Sequence, residues 1–134
     1  MLIDLPKDKI RFCIVGSGKT CIVFTQMLLE NDFPAPIIVT WNKKLHKRDQ
    51  NILKGTKNYE DIFAFGQNNS IDVIQVDNIN NKNTIKLLKQ KKVNIVFSIA
   101  SRWIIKNNFI DEFNGWVINI HQGNLPLERG SVIY

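Results

Sequence analysis

Two polar side chains, Asn119 and His121, end an apolar run near the C-terminal end of the sequence. The run predicts a buried strand over residues 116–120. Because side chains alternate faces along a strand, residues two apart point the same way, and Asn119 and His121 should converge on one spot. A carboxamide can donate hydrogen bonds to a developing oxyanion, and an imidazole can change charge near neutral pH. Alone, His121 is more typical of a loop histidine bonded to backbone, but its spacing from Asn119 favours a catalytic pair.

Strand and helix patterns alternate along the rest of the chain. Apolar runs predict strands over residues 10–16, 36–41, 71–76, 93–98 and 116–120. Apolar residues at helical spacing predict helices over residues 19–30, 58–66, 81–91 and 103–113, whereas residues 42–57 are expected to form a polar loop. Strands separated by helices imply parallel crossover connections. The expected fold class is therefore α/β, a Rossmann-like three-layer sandwich with a mostly parallel sheet, in which ligands bind beyond the carboxyl ends of the strands.

Length and composition indicate one globular domain over residues 1–134. The hydrophobic fraction is 44% and the charged fraction is 22%, which is typical of a folded chain. No apolar stretch approaches the roughly 18–20 residues that a membrane helix requires, so no membrane partner is expected. The N-terminus lacks the pattern of a secretory signal. Cys13 and Cys21 fall in a predicted strand and helix, as reduced buried thiols do, and we expect a cytoplasmic protein.

The formal net charge of +6 raises the question of a nucleic-acid partner. The basic residues form two groups, one over residues 43–48 and one over residues 86–92. The second group ends a predicted helix, where cations complement the carbonyl dipole. The first group lies in the expected loop, which is either solvated or in contact with a phosphate. The distribution favours a small-molecule substrate over nucleic acid.

The turn after the first strand, Gly16-Ser17-Gly18-Lys19-Thr20, invites comparison with two phosphate-binding motifs. A P-loop would need glycine where Cys13 stands, inside the strand. A dinucleotide fingerprint would need a third glycine where Cys21 stands, and an acidic residue where the second strand ends at Trp41. Neither motif is complete. Two interpretations of these residues stay open. They form either a tight strand-to-helix turn with no ligand or a turn whose free amides hold a substrate phosphate.

The residues after the predicted catalytic pair carry a family resemblance. Asn119-x-His121, followed by Leu125-Pro126 and Arg129-Gly130, resembles the signature of the 10-formyltetrahydrofolate-dependent formyltransferases. That family includes glycinamide ribonucleotide, methionyl-tRNA and nucleotide-amino-sugar formyltransferases. The sequence departs from the family pattern at Gln122, where proline is usual, and at Gly123-Asn124. The resemblance implies transfer of a formyl group from 10-formyltetrahydrofolate to a primary amine, with no metal ion.

The resemblance also implies binding residues. The segment after the fourth strand would line the pterin pocket, although an ordinary core role is equally open for its apolar residues. The implied cofactor-binding residues are Ser98, Ile99, Trp103, Ile104, Ile105 and Leu125. The implied substrate-binding residues are Gly16, Ser17, Gly18, Lys19, Gly123 and Arg129.

One expected catalytic residue is missing from the sequence. The family's third residue, an aspartate, would lie beyond Tyr134, so the domain is expected to be incomplete, its sheet truncated at the C-terminal side. We expect weak or no transferase activity from residues 1–134 alone. The favoured acceptor is an amino sugar attached to a nucleotide, with tRNA and homodimer formation left open. The alternatives are a non-catalytic nucleotide- or phosphate-binding module and an inactive, truncated remnant of a formyltransferase.

Overall fold

The computed structural model describes residues 5–55 and 60–121, and in these residues the predicted alternation of strands and helices is confirmed. The strands are β1 (Phe12–Gly16), β2 (Ile37–Thr40), β3 (Val73–Gln75), β4 (Ile95–Ile99) and β5 (Val117–Ile120). The helices are α1 (Gly18–Glu30), α2 (Lys43–Ile52), α3 (Ile62–Asn68), α4 (Lys82–Gln90) and α5 (Asn107–Glu112), after a 3-10 turn at Lys7–Lys9. The strands form one parallel sheet in the order β3-β2-β1-β4-β5.

Both faces of the sheet are covered, which explains why its central strand reads as a continuous apolar run. All five residues of β1 are buried. Phe12 and Ile14 pack on one side with residues of α1 and α3, and Cys13 and Val15 pack on the other with residues of α4 and α5. Because side chains alternate along a strand, β1 contributes residues to two separate apolar clusters, one on each face of the sheet. The three-layer α/β sandwich expected from the sequence is confirmed.

Strand order reverses beside β1. The chain builds from β1 outward to β3, and then returns to the other side of β1 to form β4 and β5. Gly16, the last residue of β1, is the register partner of Ile99, the last residue of β4. In open α/β sheets, this reversal leaves a crevice at the carboxyl ends of the two strands, where ligands bind.

The expectation of a polar loop over residues 42–57 was wrong, because Lys43–Ile52 form the helix α2. The Asn42 side chain caps this helix by accepting a hydrogen bond from the Leu45 amide at 3.0 Å. The sequence pattern does not predict α2, because the buried residue of this helix is a histidine, His46, and most of the other residues are polar. The basic residues 43–48 therefore lie on a helix and not in a loop.

Two other helices begin later than predicted. The helix expected over residues 58–66 begins at Ile62, where the Asp61 carboxylate accepts hydrogen bonds from the Phe63 and Ala64 amides at 2.9 and 3.1 Å. The helix expected over residues 103–113 begins at Asn107. The residues before it form a loop that is held by hydrogen bonds to the Asn80 side chain. Among residues 5–55 and 60–121, no helix has both the length and the apolar character needed to cross a membrane.

Candidate active site

The carboxyl edge of the sheet gathers most of the described residues that the sequence predicted for a site. Gly16 ends β1 and is followed by Ser17 and Gly18, and Ser98 and Ile99 end β4, on the two sides of the reversal in strand order. The predicted substrate-binding turn and the predicted cofactor-binding segment are therefore neighbours. Lys19 is exposed in the first turn of α1.

Asn119 lies beside β4 on the same edge. Ser98 and Asn119 are register partners in adjacent parallel strands, so their side chains stand on the same face of the sheet. Asn119 is exposed, and His121, which directly follows β5, is partly buried. Neither side chain is enclosed in the apolar core, and both groups can therefore meet a ligand at this edge.

The predicted cofactor-binding residues divide into core and loop positions. Ile99 is only 1% exposed and belongs to the apolar cluster under α1, so it can offer a ligand only main-chain groups. Ser98 is also buried. In the loop after β4, Trp103 and Ile105 pack against the cluster beneath α4 and α5, whereas Ile104 is 84% exposed. Among the members of this group that the structure describes, Ile104 is the apolar side chain that is open to a ligand or a further element.

Asn80, which sequence reasoning missed, holds this loop in place. Its side-chain amide donates to the Ile104 carbonyl at 2.9 Å, and its side-chain oxygen accepts from the Lys106 amide at 2.8 Å. Its main-chain carbonyl accepts from the Asn108 side chain at 3.1 Å. Asn80, two residues before the start of α4, therefore fixes the path of the chain between β4 and α5. No local pattern could reveal contacts that span more than twenty residues.

A buried histidine on α2 was also missed, because its segment was expected to be a loop. His46 Nε2 lies 2.9 Å from the Thr40 hydroxyl at the end of β2, and Nδ1 lies 3.4 Å from the Ser17 hydroxyl after β1. The imidazole stacks on Trp41, with ring centroids 5.1 Å apart, and meets the edge of Phe63 at 4.8 Å. His46 thus links the ends of two strands through its two ring nitrogens.

The environment of His46 favours the neutral imidazole. Burial lowers its pKa below the ordinary value, and this effect outweighs Asp49, Asp61 and a backbone hydrogen bond with Trp41, which raise the pKa. The guanidinium of Arg102 lowers the pKa further. A neutral imidazole has one donor and one acceptor nitrogen, so the hydroxyls of Thr40 and Ser17 must play opposite roles toward it.

Trp41 joins α2 to the loop after β4. Its indole nitrogen donates to an Asp49 carboxylate oxygen at 3.0 Å. The Arg102 guanidinium lies over the indole ring, 5.5 Å from its centroid, and Trp103 meets that ring edge-on at 5.6 Å. These contacts place an arginine from the predicted pterin segment close to the His46 cluster. The edge of the sheet is therefore one connected arrangement and not a set of independent loops.

Cysteine chemistry does not contribute to this site. Cys13 and Cys21 are buried and unpaired, as predicted. Burial raises the pKa of both thiols, that of Cys21 to about 12, so both stay protonated at neutral pH and are poor nucleophiles. In the part of the chain that the structure describes, no three His, Cys, Asp or Glu side chains cluster as metal ligands would.

Three predicted site residues lie outside the described residues: Gly123, Leu125 and Arg129. The Pro126 and Arg129-Gly130 positions of the family resemblance lie there too. The roles of these residues stay predictions from the sequence.

Comparison with known proteins agrees with the resemblance at the level of a formyltransferase. No protein-family model matches the chain. The chain is 28% identical over 126 residues to the methionyl-tRNA formyltransferase of Finegoldia magna (strain ATCC 29328 / DSM 20472 / WAL 2508). The sequence is thus similar to that of a formyltransferase. The match covers 93% of this chain but 38% of that relative, so the chain spans well under half of the relative's length.

A solved structure shares the fold. The crystal structure of phosphoribosylglycinamide formyltransferase from Bacillus halodurans matches with a TM-score of 0.64 at 17% sequence identity. The match covers 90% of this chain and 60% of that one. At this identity the likeness shows the Rossmann-like fold alone. Together with the sequence similarity, it supports a relationship to the formyltransferases.

Proposed function

We propose that this chain carries the folate-binding and catalytic part of an enzyme that transfers a formyl group from 10-formyltetrahydrofolate to a primary amine. The observation that carries the proposal is the position of Asn119, beside Ser98 at the carboxyl edge and two residues before His121. Sequence similarity to a formyltransferase over most of the chain supports the same reaction.

The chemistry assigns a separate task to each residue. The amine nitrogen attacks the formyl carbon, a C–N bond forms, and the carbonyl oxygen becomes negative in a tetrahedral intermediate. The Asn119 carboxamide would donate a hydrogen bond to that oxygen. His121 would accept the proton that leaves the attacking nitrogen and return a proton to the folate nitrogen as its bond to carbon breaks. The products are the formylated amine and tetrahydrofolate.

The two substrates would occupy the two sides of the reversal in strand order. The folate would lie along the segment after β4, using main-chain groups near Ser98 and Ile99 and the side chains of Trp103, Ile104 and Ile105. The acceptor would lie at the turn after β1, formed by Gly16, Ser17, Gly18 and Lys19. The positions of these residues on adjacent strand ends support this division.

For the acceptor we favour an amino sugar attached to a nucleotide. The N-terminus of α1, which the Ser17 side chain does not cap, and the basic residues at the start of α2 suit a diphosphate. The relatives act, by their names, on methionyl-tRNA and phosphoribosylglycinamide, so these are the competing acceptors. Release of tetrahydrofolate in the presence of each of the three amines would decide among them.

Alanine replacement of Asn119 or His121 tests the reaction itself. The assay uses this chain and any longer gene product that contains it. Each variant should lower turnover by about 100–1000-fold, the usual cost of one oxyanion donor, with an unchanged circular dichroism spectrum. Asn51→Ala, which removes an exposed carboxamide from α2, is the matched control and should leave turnover unchanged. Near-normal turnover in both active-site variants would refute the proposed roles.

The alternative is a non-catalytic phosphate-binding module, and the turn after β1 is the feature that favours it. In that case UDP would raise the melting temperature and 10-formyltetrahydrofolate would not. Stabilisation by both ligands supports the enzyme, because the two substrates would then bind the same domain.

A further inference from the structure

We propose that His46 is a positioning residue of the acceptor site, which orients the Ser17 hydroxyl in the turn after β1 through its Nδ1 atom. The inference rests on the proposed function, because that turn is where we place the acceptor's phosphate. It adds a buried residue of α2, whose basic residues alone were assigned to the acceptor above.

Ser17 is in an unusual position for an N-cap serine. A serine before a helix ordinarily accepts a hydrogen bond from an amide of the first turn. Ser17 makes no such side-chain bond to α1, although its backbone has the extended conformation typical of an N-cap. Its hydroxyl lies instead 3.4 Å from His46 Nδ1. The serine side chain is therefore held by the neighbouring helix and not by its own.

His46 is itself held by contacts with Thr40, Trp41 and Phe63. Its second nitrogen lies 2.9 Å from the Thr40 hydroxyl, which is fully buried at the end of β2. The ring is stacked on Trp41, with an angle of 11° between the planes, and Phe63 closes its edge. An imidazole fixed in this way cannot turn to suit Ser17. The position of Nδ1 therefore decides where the Ser17 hydroxyl lies.

The donors and acceptors of Thr40, His46 and Ser17 indicate how this arrangement could bind an anion. When the Thr40 hydroxyl donates to Nε2, the proton of the neutral imidazole is on Nδ1 and is donated to the Ser17 oxygen. The Ser17 proton is then free to point out of the turn toward a ligand oxygen. In the opposite tautomer, Ser17 donates to Nδ1 and its proton is occupied. A phosphate at the turn selects the first tautomer.

Two amide substitutions separate the two ring nitrogens. In His46→Asn, the shorter amide can occupy the position of Nδ1 and keep the contact with Ser17. In His46→Gln, the longer amide can occupy the position of Nε2 and keep the contact with Thr40. A purely structural histidine should be rescued better by glutamine, because the Thr40 contact is the shorter and more buried one. A positioning histidine should be rescued better by asparagine.

The experiment measures binding of inorganic pyrophosphate from the amide chemical shifts of Gly16 and Gly18, and, in the active enzyme, the KM for each substrate. Ser17→Ala and His46→Gln should weaken pyrophosphate binding and raise the acceptor KM by about tenfold, the worth of one hydrogen bond to an anion. The KM of both variants for folate should stay close to wild type. His46→Asn should bind within about threefold of wild type.

The outcomes separate this inference from the proposed function. The inference is wrong if pyrophosphate leaves the Gly16 and Gly18 amides unmoved, or if His46→Gln binds as tightly as wild type. It is also wrong if the losses in all variants follow their melting temperatures. The proposed function fails on a different result, when a longer gene product that contains this chain releases no tetrahydrofolate with any amine. The binding measurement does not depend on turnover.

Discussion

Gly16 and Ile99 are in direct backbone contact: a Cβ built on Gly16 would lie 1.7 Å from the Ile99 carbonyl oxygen. The glycine also has φ = +154°, a conformation that L side chains rarely adopt. The turn after β1 therefore lies directly against the end of β4, so the predicted acceptor and folate sides of the site adjoin each other. The first glycine of the turn is thus required by packing, whatever the turn binds.

Gly16→Ala should destabilise the protein by more than about 3 kcal/mol, because the new methyl group would overlap main-chain atoms that cannot swing aside. Urea unfolding followed by circular dichroism measures the loss. Gly115→Ala is the control, since Gly115 has φ = +79° and no atoms within 4 Å of the built Cβ. At Gly115 the alanine would have backbone strain but no overlap, and the free energy of unfolding should fall by about 1 kcal/mol. Equal losses in the two variants would disprove the overlap argument.

The buried imidazole of His46 predicts a loss of stability in mild acid. Its pKa is lowered in the folded protein, mainly by burial, so the unfolded chain takes up the proton first as the pH falls. This contribution to stability is complete above the unfolded pKa of about 6.5, and is lost progressively as the pH falls from there toward the folded pKa. Unfolding free energies at pH 7.5 and at about pH 5.5, where carboxylates stay ionised, measure it.

The variant His46→Asn is the control for that acid dependence. It removes the titrating group while keeping a polar contact with Ser17 available, so its stability should change less than wild type between the two pH values. An identical change in both proteins would assign the effect to other groups.

Asp49 should set how far the pKa of His46 is lowered. Its carboxylate is the largest influence that raises this pKa, and it also accepts the Trp41 indole hydrogen bond at 3.0 Å. Asp49→Asn keeps an oxygen that can accept this bond but removes the charge. The pKa of His46 should therefore fall further, as measured by NMR titration of the imidazole. An unchanged or higher pKa would contradict the assigned role of the carboxylate.

Asn80→Ala should loosen the loop between β4 and α5, because it removes the side-chain bonds to Ile104 and Lys106. We expect faster hydrogen exchange at the Lys106 amide and a loss of about 1–2 kcal/mol in stability. If the loop lines the folate site, the KM for folate should rise while the KM for the acceptor stays constant. Asn69→Ala, which removes a local bond to the Phe65 carbonyl, should leave exchange at Lys106 unchanged.

The sequence alone determined the architecture and led to the prediction that Asn119 and His121 form a catalytic pair at the end of β5. Strands buried on both faces read as apolar runs, and the helices α1 and α4 show their apolar faces at regular spacing, so periodicity was enough to predict them. Asn119 and His121 could be proposed as a pair because strand geometry relates residues two positions apart without any knowledge of the rest of the fold. These signals are local, and a single sequence contains them.

Only the tertiary structure revealed α2 and the cluster around His46. The helix buries a histidine in place of a run of apolar residues, so its pattern is that of a polar loop. The buried position of this histidine depends on Thr40 and Trp41 at the end of β2 and on Phe63 of α3. Asn80 was hidden for the same reason, since its partners lie 24 and 26 residues away. Contacts between distant segments form only when the sheet brings the ends of its strands together, and no spacing along the chain encodes that meeting.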